Sequence, residues 1–122
     1  KIAPEHTEPS VLRAMRKTHL VPLEEFSARY FAAAKKAKLK RYLVPYLMSC
    51  HPGCGMQEMR IMKDSVMRMF GFLPQQVQAF IPLPMTISSV MYWTGKDPLT
   101  GEELFVERDA KKRMAQHRVF LS

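Results

Sequence analysis

Only two cysteines, Cys50 and Cys54, occur in 122 residues, and three residues separate them. They are too few and too close for the disulfide framework of a small secreted domain; a reducing, cytoplasmic setting suits them better. No apolar run reaches the ~18 residues of a membrane-spanning helix, and no apolar h-region marks a signal peptide. Neither a P-loop nor a G-x-G-x-x-G turn is present, and no Ser-His-Asp set is recognisable, so those phosphate-binding and hydrolytic chemistries lack support. Repeats and low-complexity stretches are missing too. Acid is scarce: 11 Asp and Glu stand against 19 Lys and Arg, a net charge of +8. The chain opens Lys1-Ile2-Ala3 without an initiator Met, as expected for the interior of a longer protein.

What is there is ordinary globular material, 47% hydrophobic and 25% charged, enough for one domain with a real core. Lys1–Ala3 reads as a strand end stopped by Pro4. Glu8-Pro9-Ser10 starts a short helix, since Pro suits the first helical position. Pro22 opens a longer one, with Leu23, Phe26, Tyr30, Ala33, Ala34 and Ala37 at helical spacing and the basic run Lys35 to Lys40 at its end. Tyr42 to Met48 is short and continuously apolar, the pattern of a strand buried on both faces. Pro45 removes a ladder donor, so a bulge or non-bonded position is expected there. After a Gly/Pro loop over Ser49 to Gly55, a helix carries Met59, Met62, Val66, Met69 and Phe70 on one face and stops at Gly71. Gln76 to Ile81 reads as a strand, Ile87 to Thr94 as a brief helix or turn, and residues 95–101 as turns. Leu104 to Val106 suggests a small strand and Arg108 to Leu121 a basic terminal helix. Most of the ten methionines fall on helix faces and read as core. The order predicts an α/β fold of parallel βα units.

In such folds functional groups collect at the carboxyl ends of strands. Three loops qualify: Pro4 to Thr7, Ser49 to Cys54 and Pro82 to Thr86. Glu5 and His6 could act as acid and base or hydrogen-bond a ribose hydroxyl, and a capping role fits them equally. A zinc site commonly needs four ligands; the pair Cys50 and Cys54 and the scattered His6, His19 and His117 would have to assemble it, and two thiols in and beside a tight turn is the simpler reading. An iron–sulfur cluster needs about three or four thiolates, so this chain alone is not expected to hold one. The basic runs Arg13/Arg16/Lys17, Lys35 to Arg41 and Lys111 to Arg113 are solvated helix faces or, alternatively, the contacts of an RNA-binding module.

Taken in order, Lys1-Ile2-Ala3-Pro4-Glu5-His6, Tyr42-Leu43-Val44-Pro45-Tyr46, His51-Pro52-Gly53-Cys54, Gln76-Val77-Gln78, Phe80, Pro82, Pro84-Met85-Thr86, Met91-Tyr92 and Asp97-Pro98 resemble the uncharacterised YgiQ-type radical SAM proteins along nearly the whole chain. A fainter similarity links it to radical SAM methylthiotransferases. The resemblance implies the C-terminal half of a partial (β/α)6 TIM-like barrel over 1–95 and the start of a C-terminal extension over 96–122. It further implies a fragment inactive alone, whose full-length parent binds S-adenosylmethionine and a [4Fe–4S] cluster through cysteines upstream of Lys1. Glu5 and His6 would then lie near the ribose, His51, Pro52 and Gly53 would flank adenine, and Phe80, Ile81 and Pro82 would offer backbone groups to the base. Ala79, Cys50 and Leu83 depart from the family pattern, where Asp, Ser and Thr are usual. The implied partner is the N-terminal half of the barrel; a homodimer through the cut sheet edge is the expectation for the chain by itself.

Overall fold

The computed structural model describes residues 1–17 and 20–121; His19 lies outside them. Ile2–Glu5 forms strand β1, followed by the short helix α1, Pro9–Ala14, and the longer α2, Leu20–Lys36. Strand β2 is Pro45–Ser49, helix α3 Met56–Phe70, strand β3 Val77–Ala79 and helix α4 Ile87–Thr94. Helix α5, Ala110–Arg118, runs into a 3₁₀ turn at Val119–Leu121. The strands form an open parallel sheet in the order β1-β2-β3, so the α/β class and the parallel βα units hold.

Several boundaries differ from expectation for local reasons. Helix α2 begins at Leu20, ahead of Pro22; a proline is tolerated in the first turn, where its missing N–H has no intrahelical partner. Tyr42 to Val44 are not in β2. Pro45 opens the strand, and the pairing before it is one bond, Ile2 N–H to Val44 O at 3.1 Å. The expected irregularity falls on the neighbouring strand: Ile2 faces Pro45 but Glu5 faces Leu47, so β1 carries the extra residue of a bulge. Leu104 to Val106 form no strand; the segment is held by a single antiparallel bridge, Lys96 to Glu103, and by Leu104 N–H to Gly95 O at 2.8 Å.

Helix α3 supplies the core. Met59, Met62, Val66 and Phe70 recur at helical spacing and are buried, and with Val11, Leu43, Leu47, Cys54, Val77 and Phe120 they form one apolar cluster. The Glu58 carboxylate accepts the Gly55 N–H at 2.9 Å ahead of the first turn. Gly71, at φ +75°, ends the helix by donating to Met67 O, a left-handed position that suits glycine. Leu47 and Val77 turn to this cluster, whereas Ala3, Tyr46, Met48 and Gln78 line space on the other face of the sheet. Phe120 brings the end of the chain into the same core, and Arg16 reaches Asp97 at 2.6 Å. Among the described residues no helix is long and apolar enough to cross a membrane.

Met62 is fully buried and Met67, on the same helix, is 45% exposed. Met62→Ala is expected to lower stability by ~2–5 kcal/mol, while Met67→Ala changes it by about 0.5 kcal/mol or less. Urea unfolding of both variants checks this; equal losses would show that α3 does not bury the face assigned to it.

Candidate functional site

β1 and β2 end alike. Glu5 and Cys50 both adopt left-handed backbone, at φ 65° and 63°, and each is followed by a buried histidine, His6 or His51. Non-glycine residues in this region cost about 1–3 kcal/mol and persist where surrounding contacts enforce them.

The His6 ring enters the interior. Nδ1 accepts the Glu8 N–H at 3.0 Å, and Nε2 lies 3.3 Å from Cys54 Sγ. An accepting Nδ1 puts the ring proton on Nε2, so His6 donates to the sulfur. Cys54 in turn lies 3.6 Å from Gln116 Oε1, and Gln116 Nε2 donates to Cys54 O at 3.1 Å. The same Oε1 accepts the Cys50 N–H at 3.1 Å, and the Cys50 thiol donates to Arg113 O at 3.4 Å. Burial, with the His51 charge behind it, brings the His6 pKa down to about 3. Burial also pushes the Cys54 thiol up to about 12 and raises that of Cys50. Both thiols are therefore protonated at neutral pH and poor nucleophiles.

His51 faces the other way. Its Nδ1–H is 3.0 Å from Pro52 O, leaving Nε2 to accept from the Ser88 hydroxyl at 2.9 Å. Burial lowers its pKa below the usual range. Beside it opens a cavity of about 390 Å³ at the strand ends. Glu5, His51, Gln78, Thr86 and Ser88 give it polar groups, and Met48, Phe80 and Ile81 are among its apolar walls. A second space of about 420 Å³ continues along the open sheet face past Tyr46 and shares Glu5, Met48 and Gln78. Glu5 also pairs with Lys17 at 3.2 Å.

Of the residues singled out from the sequence, Glu5, His51, Phe80 and Ile81 meet at this cavity; His6, Pro52, Gly53 and Pro82 are not among its walls. Gly53, at φ +90°, donates to Phe105 O at 2.7 Å, and a Cβ there would meet Ala14 and Ser10, so its close approach is to the chain itself. The backbone of Phe80 is engaged, N–H to Ser49 O and O to Arg113; its ring borders the cavity, 5.0 Å from that of His51. Sequence reading missed Met48, Gln78 and Ser88. Strand alternation held the signal for the first two, since Met48 and Gln78 are register partners beside the core pair Leu47 and Val77. Among the described residues no group of three or more His, Cys, Asp or Glu could hold a metal ion.

Because the unfolded chain takes up a proton at His6 near pH 6.5 and the folded one near pH 3, stability is full above pH 6.5 and falls as pH drops toward 3. The expected slope is about 1.4 kcal/mol per pH unit from His6 alone. Urea midpoints from pH 8 to pH 4 measure it, and a curve flat through this window would contradict a buried neutral His6.

Residues 75–122 match a family described as a domain of unknown function, DUF3362. A UPF0313 protein of Thermotoga petrophila is 42% identical over 113 residues, covering 93% of this chain and 20% of that protein. A UPF0313 protein of Clostridium perfringens is 40% identical over 121 residues, 99% of this chain and 18% of its own. One of Methanosarcina mazei is 45% identical over 116 residues, 95% and 18%. No solved structure matches the chain. The chain spans about a fifth of the length of these relatives. Along nearly all of that span it is similar to the UPF0313 proteins, the YgiQ family, and from residue 75 it carries the DUF3362 match.

Proposed function

We propose that this chain is a segment of a radical SAM enzyme and supplies the wall that faces the nucleoside of S-adenosylmethionine and the substrate. The observation that carries the reading is the cavity of about 390 Å³ at the carboxyl ends of three parallel strands. In parallel βα folds that is where ligands sit. Its chemistry fits a nucleoside: the Glu5 carboxylate can accept from ribose hydroxyls, Gln78 can donate and accept at a base edge, and Phe80 and Ile81 offer apolar contact. Ser88, donating to His51, keeps its oxygen free to accept a further bond.

The open sheet face supports the same reading. Ala3, Tyr46, Met48 and Gln78 line space instead of core, as residues on the inner wall of a (β/α)6 barrel would before the remaining strands close over them. In this proposal residues 1–95 belong to the barrel, 96–122 begin the extension, and the N-terminal half of the barrel is the partner. The enzyme would work in the cytoplasm. The [4Fe–4S] cluster does not fit this chain: it needs about three or four thiolates, and the two thiols here are hydrogen-bonded within the core. When bound elsewhere in the parent, the cluster would supply the electron for reductive cleavage of S-adenosylmethionine. The residues here hold and orient the nucleoside end.

Titrating the 122-residue chain with adenosine, followed by amide NMR, is expected to shift signals of Glu5, Met48, Gln78 and Ser88 with weak affinity. Glu5→Gln should weaken the response several-fold, and S-adenosylmethionine should bind no tighter than adenosine, since the cluster that holds its amino acid end is not here. Saturating adenosine without shifts at these residues, or low-micromolar affinity for S-adenosylmethionine, would defeat the assignment.

A further inference from the structure

Helix α5 has an unusual charge environment on its side away from the strand-end cavity. A groove of about 610 Å³ between α3 and α5 is lined by Arg60 and Lys63 from α3, by Lys111 and Arg118 from α5, and by no carboxylate among the described residues. Arg60, Lys111 and Arg118 are exposed and take part in none of the ion pairs found among the described residues. Arg60, Lys111 and Arg118 bring like charges to one groove, and a polyanion relieves their mutual repulsion. Lys111 and Arg118 are seven residues apart on one helix, hence ~10 Å along its axis, roughly the rise of three nucleotides at ~3.4 Å each.

Met114 forms part of this groove and also of a second cleft, about 480 Å³, on the other side of α5. That cleft is bounded by Tyr92, Arg108, Arg113 and His117. Both guanidinium carbons stand 5.7 Å from the centre of the Tyr92 ring, and the buried His117 Nδ1 has no hydrogen-bond partner among the described residues. Trp93 meets the Tyr92 ring edge-on at 5.1 Å and is 68% exposed. A phosphate track beside an aromatic and guanidinium platform is the arrangement by which single strands are held: charge follows the backbone and π-faces take the bases.

We infer that α5 is straddled by single-stranded nucleic acid, with phosphates in the Arg60/Lys63/Lys111/Arg118 groove and a base against the Tyr92–Trp93 pair. The site is not the cavity at the strand ends, and the inference stands whether or not that cavity binds a nucleoside. Nor does it use the basic runs as the sequence presents them. Arg113 turns inward to Phe80 O and Glu107 O, which splits the run Lys111 to Arg113, and Lys35 and Lys36 lie on α2.

The test is fluorescence anisotropy of a dye-labelled, mixed-sequence single-stranded RNA of about twelve nucleotides, titrated with the 122-residue chain at several salt concentrations. Lys111→Gln/Arg118→Gln is expected to weaken binding about tenfold or more near 0.1 M salt and to reduce the salt slope by about 1.4, two contacts at ~0.7 each. Lys35→Gln/Lys36→Gln removes the same charge from exposed residues of α2 and should weaken it less than about twofold. Emission of Trp93, the single tryptophan, should change on binding. Circular dichroism confirms that both variants fold. Absence of binding, equal losses in the two variants, or tripolyphosphate competing as well as RNA at equal phosphate would each overturn the assignment. The first removes the site, the second reduces it to net charge, and the third leaves an anion groove without a base site.

Discussion

The loops that follow β1 and β2 are tied together through one buried amide. Gln116 is 1% exposed on a helix whose other residues are largely basic and solvated. A buried amide left unpaired costs about 1–3 kcal/mol per group. Gln116 avoids that by bonding the loop after β2 with both ends of its side chain, Oε1 to the Cys50 N–H and Nε2 to Cys54 O. Through the Cys54 sulfur the connection reaches His6 after β1, and from there the Glu8 N–H at the start of α1. One helix thereby fixes two strand-end loops at once. Satisfied polar networks of this kind specify an arrangement more sharply than apolar packing, because a slipped register strands several polar groups together.

The network also explains why Glu5 and Cys50 tolerate left-handed backbone. Each turns the chain sharply at a strand end so that the next residue, a histidine, is buried. At β1 the turn points Glu5 to the cavity and His6 into the core; at β2 it points Cys50 to Arg113 and His51 to Ser88. The two loops share a backbone device and part in chemistry. His6 is a structural element with both nitrogens occupied inside the protein, and His51 is a polar group at the cavity wall.

How much of this was legible follows the physics of each signal. Helix α3 was visible because Met59, Met62, Val66 and Phe70 repeat at one period and Gly71 closes the helix; both signals are local. Strand β2 was visible as an apolar run, though its start was not, since Pro45 acts as an opening residue and its partner strand takes the bulge. Leu104 to Val106 read as a strand on β-propensity alone, whereas Leu104 N–H goes to Gly95 O and Phe105 O accepts from Gly53 N–H, outside the three-stranded sheet. Gln116 and Ser88 could not be picked out, because a lone Gln or Ser has no pattern until distant loops are brought to it. His6 was misleading for the same reason: adjacency to Glu5 suggested a shared site, and a positive φ between them sends the two side chains to opposite sides.

Helix α5 likewise has two faces with different partners. Its inner side is held by Gln116 and Arg113, the latter clamping the Phe80 carbonyl at the end of β3, so the Phe80 ring is positioned against the cavity by a residue of α5. Its outer side presents Lys111 and Arg118. The helix is nine residues long and pinned at Arg113 and Gln116, near its middle and last turn, so its outer basic face and the Phe80 contact on the inside belong to one short element. In the two readings proposed above, any coupling between the sites would run through this shared element and not through a long pathway of side chains.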